Sequence, residues 1–384
     1  MPPRCYLNAE AAGIRFGDLA RRYADGLDQE DLAGAAALGT LDELGADGIE
    51  LLERALADGS AALADAPEAL RRLFEEIESP AFAVDQELIE LGSRAIVRHG
   101  FGYAAATRQS LFWGYSNGAA VKPLAWTGEM RTAEASLGRL VETGEWLQAV
   151  IRPGAVRPHA EGWRATIRVR LLHARVRAGL RRSGRWDEAA WGAPLNVADS
   201  AFTLLEFSWM PLRLMRRLGF TYTDREVAGV YALWRWVGHL IGVPADLNPA
   251  DPLEAGRMLE LRELTAGPPD SDSRELVRAL LDGSLQPDGT ALQRGAGRFM
   301  RAIDRAIAID SLPSGYPEAL GIEPTPARWL LPPGIAGVRA VEAVRRRASG
   351  LDAWLTSRNE ELIRRGESML KERVALTDRG GHRA

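Results

Sequence analysis

The sequence predicts an all-α protein, and three observations carry that expectation. Apolar residues recur with helical spacing through most of the 384 positions, no convincing strand-type alternation is present, and helix start and stop signals bound the periodic stretches. Taken in order, "PEALRRLFEEIES" (67–79) places proline in a first helical turn and is followed by an "SPA" stop. "DQELIELGSRAIVRHG" (85–100) closes on His-Gly, a C-terminal signature. Further helices are predicted over 131–150, 161–182, 197–218, 223–241, 252–264, 273–284, 289–310 and 335–376. The connections carry breakers: "RPGAVRP", "WGAPLN", "GVPADLNPADP", "TAGPPDSDS" and "LPPG". The Ala- and Gly-rich stretch 28–65 reads as a loosely packed lead-in, and the chain after 335 as an amphipathic closing helix with a frayed tail, "DRGGHRA". No repeat of solenoid period is visible. The organisation expected is one compact domain: a helical lead-in over 1–84, a Trp-bearing core over 85–250 and a helical extension over 251–384.

Composition bounds the function. The chain is 46% hydrophobic and 26% charged with net charge −4, so it has no global attraction to nucleic acid or anionic membranes. Only Lys122 and Lys371 among its 48 basic residues are lysines, so a single arginine carries little information and only spacing counts. The lone cysteine, Cys5, excludes an internal disulfide, a Cys-rich zinc site and thioether-linked haem. The start of the chain lacks the apolar run of a leader. The most hydrophobic segment, 227–243, is broken by Arg235 and His239 and is too short to span a bilayer. The expectation is a cytoplasmic protein.

The stretch "WRATIRVRLLHARVRAGLRR" (163–182) holds His173, one of five histidines. On a helix, Val169, Leu172, Val176 and Leu180 form an apolar stripe expected to face the core. His173 falls about 40–55° to one side of it, and Arg170 and Arg177 lie about 40–60° further round. A surface graded from apolar through imidazole to guanidinium suits haem, whose iron takes an imidazole nitrogen and whose propionates pair with arginines. The same residues also suit a satisfied, partly buried histidine within a salt-bridge network of a cofactor-free helical binding protein. A second helix, "SLGRLVETGEW" (136–146), sets Arg139, Glu142, Thr143 and Trp146 on one face. This face reads either as an exposed ion pair or as the polar wall of a reaction pocket.

"RLVET" (139–143) followed by "RLLHARVR" (170–177) resembles the latex-clearing-protein (rubber oxygenase) and MpaB-type family of haem-b oxygenases. "GAPLNVADSAFTLLEFS" (192–208) and "WRWVGHLIGV" (234–243) are similar to that family too, so the resemblance covers roughly residues 85–250. It implies an all-α fold with a globin-like core enlarged by additional N- and C-terminal helices. It implies a non-covalent haem b and O2 as co-substrate, with oxidative cleavage of C=C bonds in isoprenoid chains. Position by position, His173 becomes the proximal iron ligand, Arg170 and Arg177 its flanking arginines, and Arg139 and Thr143 the distal pair. Glu142 stands where the rubber-cleaving member has lysine, and a carboxylate there can serve as a base or hold a water. Without an export leader or a spanning segment, the expected substrate is a small or medium hydrophobic molecule, such as a terpenoid alkene, rather than polymer.

The other histidines point to structure: His239 as a hydrogen-bonded helix residue, His99 as a C-terminal cap suited to the helix dipole, His159 in a Pro-rich loop and His382 in the tail. Asn196 and Asp199 read as capping residues. No nucleophile elbow, P-loop, zincin or Rossmann signature is present, nor paired Glu-x-x-His motifs for a di-iron site. Two further functions fit the same chain: a haem-based sensor or peroxidase-like protein, and a cofactor-free scaffold.

Overall fold

The computed structural model describes residues 2–127, 133–285, 290–348 and 350–362, and among these it contains helices and no strands. The N-terminal part comprises α1 (Ala9–Phe16), α2 (Asp18–Leu27), α3 (Leu32–Leu44), α4 (Ala46–Asp58) and α5 (Glu68–Glu78). The middle comprises α6 (Gln86–His99), α7 (Phe101–Gly114), α8 (Lys122–Thr127), α9 (Ala133–Ile151), α10 (Glu161–Arg182), α11 (Glu188–Trp191), α12 (Val197–Phe207), α13 (Trp209–Arg217) and α14 (Asp224–Leu240). The C-terminal part comprises α15 (Pro252–Thr265), α16 (Ser271–Asp282), α17 (Ala291–Ser311), α18 (Tyr316–Ala319) and α19 (Leu331–Arg345).

One hydrophobic core runs through all three parts, taking buried side chains from Tyr6 to Ile322. At its centre α6 and α14 cross so closely that a Cβ on Gly92 would lie 2.2 Å from the Gly229 backbone. The absence of both side chains lets two backbones touch there. The stretch 28–65, expected to be loose, is instead two helices that bury Ala37, Leu38, Leu41, Leu51, Ala55 and Leu56 in that core. Their many small residues pack by close approach rather than by bulk.

Three element boundaries differ from the sequence reading for physical reasons. The helix expected over 197–218 is two helices, α12 and α13, broken at Ser208. Pro211 has no N–H for the Phe207 carbonyl, and that carbonyl accepts the Tyr103 hydroxyl instead. "LPPG" is no breaker: its prolines occupy the first turn of α19, where a missing N–H costs nothing. The closing helix expected over 335–376 is α19, which begins at Leu331 and ends at Arg345, followed by a second helical stretch over 351–362; the rest of it beyond 362, with the tail and His382, lies outside the described residues.

Candidate functional site

The two motif-bearing helices are neighbours. α9 packs on α10, and the join is fixed by Trp146, whose indole N–H donates to Thr166 Oγ1 at 3.2 Å. Trp146 also meets Phe207 at 5.3 Å and Trp234 at 6.0 Å between ring centroids, so α9 is anchored to α12 and α14 by aromatic contacts. Trp234 in turn donates to the Tyr103 hydroxyl at 3.2 Å. On α9, Thr143 and Trp146 are half-buried and Glu142 is exposed. The Arg139 side chain lies outside the described residues.

α10 spans the predicted residues, but its faces are turned relative to expectation. The core side carries Trp163, Ile167, Leu171 and Ala174 together with Arg170 and Arg177, which are only 1% and 4% exposed. Of the expected core stripe, Leu180 is buried, Val169 and Val176 are half-buried, and Leu172 is 43% exposed. His173 is half-buried on the same partly uncovered side. The order apolar, imidazole, guanidinium survives around the helix, yet the guanidinium end is the sealed one.

The physical reason is a set of carboxylates brought in from the N-terminal helices. Arg170 grips Asp31 through Nε and Nη2 at 2.8 and 2.7 Å and reaches Glu76 at 2.7 Å. Arg177 Nη2 lies 3.6 Å from Asp31, its Nε 3.8 Å from Glu30, and Nη1 donates to the Leu195 carbonyl at 3.4 Å. Asp31 also caps α3, accepting the Gly34 N–H at 3.0 Å. Burial alone would raise the Asp31 carboxyl, but the Arg170 hydrogen bonds and the two positive charges outweigh it and hold it below the usual carboxylate range. Burial lowers the Arg177 guanidinium from its usual value, whereas Asp31 and Glu76 hold that of Arg170 up. Arg170 and Arg177, expected as partners of haem propionates, therefore stand in a buried ion-pair network, with Nε and Nη2 of Arg170 engaged by protein carboxylates and its buried Nη1 without a hydrogen-bond partner among the described residues.

Gly242, from the "WRWVGHLIGV" segment, completes the clamp. Its φ of +90° disfavours any side chain, and a Cβ there would sit 2.9 Å from both Arg170 Nε and the Asp31 carboxyl carbon. Sequence reasoning missed Asp31, Glu30, Glu76 and the role of Gly242. Asp31 carries an N-cap signal in "DLAG", but nothing local links it to a residue 139 positions away.

The remaining histidines take structural places. His239 Nε2 lies 3.0 Å from the Ile77 carbonyl and its ring stacks on Trp236. His99 ends α6, but it is sealed between Phe220 and Tyr222 at 4.9 and 5.0 Å. Burial, with Arg98 alongside, pushes its imidazole down to about 4, so at neutral pH it brings no charge to the helix dipole. His159 packs its ring edge-on against Trp163 at 4.9 Å. Asn196 caps α12 by accepting the Asp199 N–H at 2.8 Å, while Asp199 sits in the first turn. A cavity of about 380 Å³ between Trp113, Trp209 and Glu263 contains none of the motif residues.

Helices α9 and α10 thus carry a half-buried imidazole, a half-buried hydroxyl and, beside the imidazole, the exposed Leu172 on an all-α scaffold. Residues 101–346 match the family described as "ER-bound oxygenase mpaB/B'/Rubber oxygenase, catalytic domain". The chain belongs to this family and is an oxygenase. Among solved structures it is similar to latex clearing protein in its closed state, with TM-score 0.59, 15% identity, and coverage of 88% of this chain and 90% of that one. No curated protein sequence gives a significant match. No described helix is long and apolar enough to cross a membrane, and no group of three or more His, Cys, Asp or Glu among the described residues is placed to hold a metal ion.

Proposed function

We propose that this oxygenase is a cytoplasmic haem-b enzyme that uses O2 to cleave or oxygenate the double bonds of a small hydrophobic substrate, such as a terpenoid alkene. The observation that supports the reading most is the uncovered side of α10. Val169, Leu172 and Val176 flank His173 on an otherwise well-packed helix, and apolar surface of that kind fits a flat apolar ligand. His173 would hold the iron of such a haem through one imidazole nitrogen. Haem supplies the oxygen chemistry when bound, and the protein contributes orientation and electrostatics.

In this reading Arg139 offers positive charge and Thr143 a hydroxyl hydrogen bond to the oxygen-binding side. Glu142, reaching in from the solvent side of α9, accepts or returns a proton at its carboxylate. Arg170 and Arg177 act as positioning residues: clamped by Asp31, they fix the rotation of α10 and so the direction of His173.

The test is the absorption spectrum of the purified protein. A Soret band that disappears in His173→Ala, with helical circular dichroism retained, is the expected result. A colourless protein that takes up no added haem overturns the reading. Oxygen uptake with terpenoid alkenes, set against peroxide turnover, then separates an oxygenase from a peroxidase-like use of the same pigment.

A further inference from the structure

The cavity of about 380 Å³ that holds none of the motif residues has the build of a small-molecule pocket. Two indoles wall it. Trp113, near the end of α7, and Trp209, at the start of α13, meet edge to face at 6.2 Å and 83°. Leu259 and Leu312 add to the apolar lining, and Gly256 of α15 opens its floor. Glycine inside a helix is destabilising relative to alanine. A Cβ on Gly256 would meet nothing nearer than Trp209 Nε1 at 3.6 Å, so close packing does not explain the missing side chain. What its absence leaves is room in the cavity. An apolar lining with a few placed polar groups is what ligand pockets of this size have in common.

The charges on the lining narrow the class of ligand. Arg217 is held by Asp310 at 2.8 Å, and Glu260 by Arg15 at 2.7 Å. One group of each sign is left. Arg213 lies over the Trp209 ring at 5.0 Å, Glu263 is half-buried, and among the described residues neither forms an ion pair. Burial raises the Glu263 carboxyl above its usual value, although Arg262, the Trp113 indole and Arg213 pull it the other way. Arg213 is thus near enough to act on Glu263 while the two groups do not meet. An adjoining arm of about 20 Å³ shares the Trp113 and Arg213 walls and is lined by Gln109, 5% exposed. Gln109 Nε2 donates to Asp304 at 2.8 Å, which orients the amide, and its buried Oε1 has no partner among the described residues. That acceptor needs a donor from outside the protein, and the arm has room for one group the size of a water.

We propose that this cavity binds a free aromatic α-amino acid: Glu263 takes the ammonium group, Arg213 the carboxylate, and the indoles of Trp113 and Trp209 enclose the ring. A molecule with both charges serves both unpaired groups, whereas a ligand with one charge leaves the other group unmatched. A donor seated in the arm, a water or an N–H of the ligand, satisfies Gln109. The proposal does not rest on the haem reading. The test is isothermal titration calorimetry on the full chain with L-phenylalanine, set against phenethylamine and hydrocinnamate, which each lack one of its two charges. L-phenylalanine is expected to bind, and each single-charge analogue to bind at least about tenfold more weakly. Glu263→Gln should weaken L-phenylalanine and phenethylamine but not hydrocinnamate, and Arg213→Gln should do the reverse. Gly256→Leu, which fills the floor with a better helix former, should abolish binding with helical circular dichroism retained. If that variant does not fold, the two charge variants decide. No binding of L-phenylalanine overturns the proposal, as do analogues that bind equally well, charge variants that change nothing, or a folded Gly256→Leu protein that binds like the parent.

Discussion

The two sides of α10 invert the usual distribution of residues. One side seals two guanidinium groups in the core, and the other leaves Leu172 and parts of Val169 and Val176 uncovered beside His173. The sealed side is stable because each charge is opposed by a carboxylate from another part of the chain. The open side has no such reason to stay open in water. The contrast teaches that the two buried charges of this helix hold it in place, while its partly covered apolar side is the one the proposed function would use.

Substitutions on the two sides should separate them. The largest effect is expected from Asp31→Ala, which leaves buried Arg170 with Glu76 alone and buried Arg177 with only the more distant Glu30, and removes the α3 cap. We expect a loss of about 3–5 kcal/mol of folding stability, read from denaturant unfolding. Gly242→Ala, which forces a Cβ into the Arg170–Asp31 clamp at φ +90°, should cost about 1–3 kcal/mol in the same assay. If Gly242→Ala were neutral, the clamp would be looser than its contacts imply.

On the sealed side the pH dependence comes from Asp31. The Asp31 carboxyl is held below its unfolded value, so its contribution is present above about pH 4 and is lost as pH falls through the lower folded value. Melting temperature against pH should therefore fall steeply at the acid end in the parent. In Asp31→Asn it should start lower and fall less steeply there. The smallest stability effect is expected on the open side: Leu172→Ala should cost under about 1 kcal/mol in the haem-free protein. It should instead weaken haem retention, measured by transfer to an acceptor globin, so that loading the pigment reverses the ranking of the two sides.

Much of this was legible in the sequence. The bounds of α10 were readable at both ends, because helical periodicity and the flanking breakers are local signals. The order of groups around the helix was readable too, since it follows from the helical period. Which side faced inward was not. Arg170 is buried because Asp31 and Glu76 arrive from positions 139 and 94 residues away, and no wheel drawn on one helix contains them. The break at Ser208 was partly visible in Pro211, but the hydroxyl of Tyr103 that takes over the Phe207 carbonyl was not. Spacing left Glu142 open between an exposed ion pair and a pocket wall, and it stands exposed.

Asp31 has one more consequence, which concerns where this protein can be cut. The family match begins at residue 101, yet the carboxylates that neutralise Arg170 and Arg177 sit at positions 30, 31 and 76. A fragment covering only 101–346 would keep both arginines and lose every acid that faces them, along with the half of the α6–α14 crossing that Gly92 provides. The boundary of the family match therefore falls inside a continuous hydrophobic core, and the N-terminal helices supply the counter-charge for two buried arginines of the matched segment.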